Sequence, residues 1–360
     1  MKVLWFSHRD IHHPLAGGAE RTIYEISRRI VAKGDEVVWV SCSFAGAKSM
    51  TVLDGVQLYR NGNTLHAHLT AHSVIKAHAP DVIVDDLAHV VPWYSDRITT
   101  RAGTAFFRHL HSRTLPGQAP IPLAWALSQL ECQYPTIYKR WPFVTESEQG
   151  VKDLVGLGVP ASRTSRIPPG VDLVRFHPAE KFTEPTMVYF GGFRDYKRPW
   201  VSISVYRELR KRIPSLRLLM LGNGPNRGRV ESSVPRELSS GVKFLGRVDD
   251  SALSELVARS WLNLHTSIAE GWGLSIVEAA AAGTPTVAFA VPGVAETVQS
   301  GVNGYTVKEG DADALIDSAY RILSQYGDWT ARSRQFALAF GWESSAESWH
   351  QHLLRVAGRL

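Results

Sequence analysis

The sequence predicts an α/β protein made of two Rossmann-like, doubly wound domains that face each other across a cleft. Three observations predict this. The chain has 360 residues, long for a single hydrophobic core. Short apolar runs alternate with helical stretches, the pattern of a parallel sheet with crossover helices. The alternation restarts after a proline-rich stretch near the middle of the chain.

The first run, KVLWF, starts at Lys2 and leads into a polar loop, SHRDIHHPLAGG. In AERTIYEISRRIVAKG the residues Ile23, Ile26, Ile30 and Val31 recur at helical spacing, and Gly34 ends the helix. EVVWVSC reads as the next strand, followed by DVIVDD (81–86), TAFF (104–107) and FVT (143–145). Residues 162–178, SRTSRIPPGVDLVRFHP, hold several prolines and no helical period, so they read as an interdomain linker. Beyond them come the strand TMVYFGG, the helix RPWVSISVYRELRKRIP and the strands LRLLMLG and VKFLG. The helix SALSELVARS and the strand WLNLHTS follow, then AEGWGLSIVEAAAAGTPTVAF (269–289) as loop, helix and strand. The domains are therefore expected at 1–167 and 168–338. Residues 339–360 contain an amphipathic helix, WESSAESWHQHLLRVAGRL, able to pack back on the first domain.

Composition narrows the function classes. With 44% hydrophobic and 21% charged residues the chain reads as a soluble globular protein. Cys42 and Cys132 provide neither a disulfide framework nor metal-ligand spacing, which fits a reducing, cytoplasmic compartment. MKVLWFSHRD does not read as a signal peptide, and no apolar run reaches the roughly 18 residues of a membrane span. The net charge of +6 and pI near 9.3 suit anionic partners, or simply a basic surface.

In doubly wound sheets, ligands bind outside the carboxyl ends of the strands, so the loops directly after strands carry the candidates. In PLAGGAER, Gly17 and Gly18 place helix N-terminal amides where a phosphate could approach. The loop matches neither the dinucleotide fingerprint nor the Walker pattern, and an ordinary helix cap remains open. In FGGFRDYKRP, Gly191 and Gly192 allow a tight turn before the cations Arg194, Lys197 and Arg198, a cluster suited to a diphosphate or else a solvated basic turn. Gly222 in LGNGP, and Arg247 with Val248 in FLGRVDD, could bring backbone against a ligand or be plain turns.

The richest loop is AEGWGLSIVEAAAA. Glu270 opens it, Gly271 and Gly273 keep it compact, and a helix begins near Ser275. Glu278 then lies one turn in, with Ala279 to Ala282 small enough for close packing. Past the first-domain strand AFF lie His109 and His111, beside Arg108 and Arg113.

With those residues in place, EGWGLSIVEAAAAGTPTVA resembles the signature of a large family of retaining glycosyltransferases. These are the family-four-type, group 1 enzymes of the glycosyltransferase-B fold. GGAER, IPPGVDLVRFHP, YKRP, LGNGP, FLGRV and SGVNGYTV follow the family's order, so the resemblance spans essentially the whole chain. It implies an N-terminal acceptor domain and a C-terminal donor domain. It implies that Glu278 holds the ribose hydroxyls of a nucleotide diphosphate sugar and Glu270 the hydroxyls of the transferred sugar. Amides of Gly273, Leu274 and Ser275 would meet the diphosphate or sugar, with Gly271 in the same loop. Lys197 with an arginine would neutralise the diphosphate, and Gly18 would approach the distal phosphate. A strand-end histidine, His109 with His111 close behind, would contact the sugar near the reacting carbon. The family commonly has arginine where this chain has Gly192, so Arg194 or Arg198 is expected to supply that charge.

The reaction implied is retaining transfer of a hexose-type sugar from a UDP- or GDP-sugar to a lipid-linked or glycan acceptor. No cofactor or metal is expected, and the pairs at 85–86 and 249–250 are discounted as metal ligands. Front-face attack fits the lack of an obvious nucleophile. Trp93, Trp125 and LPGQAPIPLAWAL, with Arg28, Arg29, Lys139 and Arg140, suggest either a peripheral membrane face or core packing; nucleic acid is not expected as a partner. The alternatives are a nucleotide-sugar epimerase or hydrolase on the same fold, and a non-catalytic nucleotide- or membrane-binding protein.

Overall fold

A computed structural model describes residues 1–115, 119–325, 327 and 329–360. Pro116, Gly117 and Gln118, part of the proline-rich stretch named above, lie outside the described residues. The chain divides into two compact units, Met1–Gly170 with Trp342–Leu360, and Val171–Gly341.

The first unit holds strands β1 (Lys2–Phe6), β2 (Glu36–Ser41), β3 (Met50–Leu53), β4 (Val56–Arg60), β5 (Val82–Asp86), β6 (Ala102–Phe107), β7 (Phe143–Thr145) and β8 (Thr164–Arg166). They form one sheet in the order β3-β4-β2-β1-β5-β6-β7-β8. Only β3–β4 is antiparallel among these pairs. Helices α1 (Gly18–Ala32), α2 (Thr64–His78), α3 (Ser95–Ile98), α4 (Ile121–Glu131), α5 (Tyr134–Ile137) and α6 (Glu148–Gly156) connect the strands. β1 is a continuous apolar run because covered parallel strands are buried on both faces: Val3, Leu4, Trp5 and Phe6 are all inaccessible. Helix α1 buries Ile23, Ile26 and Ile30, and Gly34 terminates it at φ +92°.

The second unit holds β9 (Thr186–Phe190), β10 (Arg217–Leu221), β11 (Val242–Gly246), β12 (Leu262–His265), β13 (Thr286–Phe289) and β14 (Gly304–Val307). Its helices are α7 (Pro199–Arg212), α8 (Arg227–Ser232), α9 (Asp250–Arg259), α10 (Leu274–Ala281), α11 (Ala312–Ser324) and α12 (Trp329–Ala337). The all-parallel order β11-β10-β9-β12-β13-β14 reverses direction between β9 and β12, which is where such sheets open a crevice for ligand. Ala279 to Ala282 are buried, and Gly283 at φ +71° leaves no room for a Cβ, which would meet Thr330 Cγ2 at 2.6 Å.

Helix α13 (Trp342–Val356) follows the second unit in sequence but belongs to the first in space. Trp349 is buried against Trp5 and Phe106, at ring separations of 5.1 and 4.7 Å. Ion pairs from Glu343 to Arg29 (2.8 Å) and Glu347 to Lys33 (2.5 Å) fasten it to α1.

Two expectations need correction. Residues 164–166, read as linker, form β8 and extend the sheet. The β3–β4 hairpin was not foreseen. Its signal was present in VLDGVQ: Asp54 and Gly55 both take positive φ, as a tight hairpin turn requires.

Candidate active site

In the second unit the loops after β9 and β12 meet at the reversal of strand order. After β9 the chain turns through Gly191 and Gly192, then makes a 3₁₀ turn at Asp195–Lys197. Arg198 takes a left-handed conformation (φ +46°) before Pro199 starts α7, proline being preset for a first helical position. Thr266 Oγ1, just past β12, donates to the carbonyls of Lys197 (2.8 Å) and Arg198 (3.0 Å), and Ile268 N donates to Tyr196 O (2.8 Å). These bonds lace the two loops together.

Lacing brings Lys197 onto Glu270. Lys197 Nζ forms an ion pair with Glu270 Oε1, Ser267 Oγ donates to the same oxygen at 2.6 Å, and His265 Nε2 lies 3.1 Å from it. Burial would raise the Glu270 carboxyl pKa, but the Lys197 charge and His265 outweigh it and hold the pKa far below the usual carboxylate range. Burial would likewise lower the Lys197 ammonium, and Glu270 reverses that, so its pKa is raised. A third loop, after β13, fixes the backbone. Glu270 N donates to Pro292 O at 3.0 Å, and Gly293 (φ +76°) packs so closely that a Cβ would come within 2.1 Å of Glu270 O. His265, Ser267 and Gly293 were not singled out in the sequence. His265 ends β12 and Ser267 follows it, both ahead of Glu270, so their position was the only available signal.

Gly271 continues this loop, and Gly273 caps α10 at φ +86°. Leu274 is the first residue of α10, with Ser275 next, whose Oγ lies 3.3 Å from His265 Nδ1. Glu278, half-buried, sits one turn into α10. The eight-residue offset therefore puts one glutamate in the loop and the other on the helix that the loop starts.

The structure separates the two arginines. The Arg194 side chain runs beside Gly192, where a Cβ would lie 3.8 Å from Arg194 Cγ, and its charge acts on Lys197. Arg198 turns inward: Nε donates to Thr266 O (2.9 Å), Nη2 to Ser267 O (3.3 Å), and Nη1 pairs with Glu309 at 3.4 Å. It supports the loop. Gly222 also has a packing task, since its φ is +118°, its N–H donates to Gly246 O (2.7 Å), and a Cβ would strike Gly191 O at 2.0 Å. Its amide is thus engaged by the neighbouring strand β11. Arg247 is exposed and Val248 half-buried just past β11.

In the first unit, Gly17 caps α1 and Gly18 begins it, but the Gly17 amide donates to the Glu20 carboxylate at 2.7 Å. A carboxylate of the protein therefore occupies that amide, expected at a phosphate. His109 is half-buried past β6. His111 is buried with both ring nitrogens engaged, Nδ1 near Glu131 (3.2 Å) and Nε2 near Ala88 O (3.1 Å). Expected near substrate, it instead ties its own loop to α4. Asp85 and Asp86 are buried structural groups: Asp85 accepts from Ser95 and Tyr138, Asp86 from Arg108. Burial raises Asp85 to about 7 and Asp86 to about 6. Among the described residues no group of three or more His, Cys, Asp or Glu is arranged to hold a metal ion.

A cluster that nothing in the sequence singled out sits at the first unit's own reversal of strand order. His8 follows β1, with Nε2 3.1 Å from His68 Nε2, and its ring lies 4.4 Å from that of His89. Trp93 stacks on His68 at 4.3 Å. Burial, with the charges of His68 and Arg9, pulls His8 down to about 3. Trp93 is thus core rather than a surface anchor. Arg28 and Arg29, also expected on a membrane face, pair instead with Glu25 and, for Arg29, Glu343.

Comparison with known proteins bears on both units. The profile described as Glycosyltransferase Family 4 matches residues 16–175, and that described as Glycosyl transferases group 1 matches residues 172–336. D-inositol 3-phosphate glycosyltransferase 2 of Catenulispora acidiphila is 28% identical over 231 residues, 56% of this chain and 53% of that protein. N-acetyl-alpha-D-glucosaminyl L-malate synthase of Bacillus anthracis is 31% identical over 142 residues, 39% of this chain and 36% of that protein. The matches span about half the length of such curated relatives, or less. Among solved structures, sucrose-phosphate synthase of Thermosynechococcus elongatus superposes with TM-score 0.82 at 20% identity, covering 100% of both chains. HepE of Anabaena, in complex with UDP-glucose, superposes with TM-score 0.78 at 19% identity, covering 99% of this chain and 100% of that one. The two profiles run consecutively through both units, and the fold of both units matches throughout, so the chain belongs to the group 1 glycosyltransferases with the glycosyltransferase-B fold.

Proposed function

We propose that the protein is a retaining glycosyltransferase, independent of metal ions, that moves a hexose-type sugar from a UDP- or GDP-sugar to a lipid-linked or glycan acceptor. The observation that carries this reading is the Lys197–Glu270 pair, set at the strand-order reversal of the second unit with Arg194 alongside. Family membership and the UDP-glucose complex of HepE support a nucleotide-sugar donor.

The chemistry follows from where charge develops. As the bond from the anomeric carbon to the diphosphate oxygen breaks, the leaving group gains negative charge. Lys197 and Arg194 are fixed cations that stabilise it, a role that elsewhere falls to a metal ion. Glu270 and Glu278 accept hydrogen bonds from sugar and ribose hydroxyls, so neither carboxylate opposes the phosphates. The acceptor hydroxyl forms the new bond to the anomeric carbon from the same face, and its proton passes to the departing phosphate oxygen. Glu270 is a poor candidate for a covalent nucleophile, because Lys197, Ser267 and His265 crowd one oxygen and its basicity is depressed. His109 is the first-unit residue proposed to contact the sugar. The protein is proposed to work in the cytoplasm, at the membrane when its acceptor is lipid-linked.

The reading predicts that a UDP- or GDP-sugar raises the melting temperature, and that Glu278→Ala lowers donor use about 100-fold. Full activity in both Glu278→Ala and Lys197→Ala would overturn the donor-site assignment. Incubation with donor alone separates the classes, since an epimerase or hydrolase would form product at full rate without acceptor.

A further inference from the structure

Helix α4 is at odds with its surroundings. Eight of the ten residues before Glu131 are apolar (Ile121, Pro122, Leu123, Ala124, Trp125, Ala126, Leu127 and Leu130), yet Glu131 is the only buried residue of the helix. Ile121, Leu123 and Trp125 are 85%, 51% and 67% exposed. A helix apolar on all sides is normally enclosed by a core or by lipid, and a contiguous exposed apolar surface marks a contact site. At 11 residues α4 is too short to cross a bilayer but long enough to lie in its interface.

The charges around it favour a lipid surface. Between residues 109 and 145 the charged residues are Arg113, Glu131, Lys139 and Arg140. Glu131 is turned inside, holding the amides of His111 (2.7 Å) and Ser112 (3.1 Å). Arg113 and Arg140 pair with Asp153 and Asp96, but these carboxylates are buried at 5% and 1% exposure while the arginines remain 34% and 48% exposed. Lys139 is exposed. The charge this segment offers to solvent is therefore positive, beside an exposed apolar helix, the combination that binds an anionic bilayer. Trp125 has the amphipathic ring that settles at headgroup level.

We infer that α4 is a docking helix that lays Ile121 and Trp125, one turn apart on the same face, into the interface of an anionic bilayer, with the exposed cations of the segment, Arg113, Lys139 and Arg140, adding attraction to its charge. Glu131 ties the end of α4 to the loop that carries His109, so docking places that loop at the lipid surface, a purpose that rests on the lipid-linked-acceptor reading above.

The test is co-sedimentation of the full chain with phosphatidylcholine vesicles, with and without phosphatidylglycerol. The wild-type protein binds the anionic vesicles. The double variant I121E/W125E, altered only at exposed positions, binds about tenfold more weakly or worse. Lys139→Glu has a smaller effect that added salt mimics. Equal binding by I121E/W125E, or no binding by the wild type, overturns the inference. So does a dimer in size-exclusion chromatography that I121E/W125E dissolves without any vesicle binding, because a second copy would then cover α4. Melting with UDP-sugar is run in parallel on both proteins. Retained donor stabilisation with no vesicle binding defeats the docking helix alone, whereas vesicle binding without donor stabilisation defeats the transferase reading alone.

Discussion

The two units put the same kinds of side chain at their strand ends and use them differently. In the first, Arg108 sits between Asp86 (2.8 Å) and Glu146 (2.6 Å), all three sealed at 4%, 2% and 8% exposure. Arg60 and Asp10 are sealed likewise, at 3% and 0%. In the second, Lys197 and Glu270 keep 19% and 12% exposure, with Arg194 half-buried next to them. A sealed ion network satisfies only itself, so it serves the fold. A pair left within reach of solvent can exchange partners with a ligand. Charge at a strand end is therefore not enough to mark a binding site; what matters is whether burial has already committed it.

Three tests break or sharpen that contrast. The largest effect is expected from Arg108→Ala. It removes the cation from between two buried carboxylates, which costs about 3–5 kcal/mol. Thermal denaturation without ligand should show a large drop, and an unchanged melting temperature would mean the network is not structural.

Next come the two arginines of the β9 loop. Arg194→Ala should weaken UDP-sugar binding about tenfold with little change in melting temperature. Arg198→Ala should do the reverse, since its guanidinium holds the carbonyls of Thr266 and Ser267. Calorimetry and melting on both variants decide this; the opposite pattern would make Arg198 the ligand cation.

The smallest effect concerns pH. The Asp85 carboxyl is raised from 3.8 to about 7 in the folded chain, chiefly by burial, against its bonds to Ser95 and Tyr138. Folding therefore favours its protonated form. Its stabilising contribution is present below pH about 4 and lost as pH rises through about 7. Asp85→Asn, neutral at every pH, should lose less stability than the wild type between pH 5 and pH 8, as followed by melting. Equal losses would contradict the shift.

Much of the fold was legible because it rests on local rules. Alternating apolar runs gave the parallel strands, and Gly271, Gly273, Gly191 and Gly192 marked where backbone must turn. The glutamates were legible because a loop and the helix it starts are adjacent in sequence. What stayed hidden depends on distant contacts. Gly293 is needed only because Glu270 O lies against it. His111 is committed by Glu131, twenty residues on, and by Ala88 O, twenty-three residues back. Trp93 and Trp125 look alike in sequence, yet one is 1% exposed and the other 67%. The β3–β4 hairpin is a different case, since Asp54–Gly55 announced it locally.

The central claim, that the loops after β9 and β12 form the donor site, is tested most directly by titrating UDP- and GDP-sugars into the wild type, Lys197→Ala and Lys197→Arg by calorimetry. In the wild type Ser267 and His265 also contact Glu270, so Lys197 is not its sole partner. The account predicts donor binding by the wild type, about 100-fold weaker binding by Lys197→Ala and partial rescue by Lys197→Arg. Wild-type affinity in Lys197→Ala would contradict it.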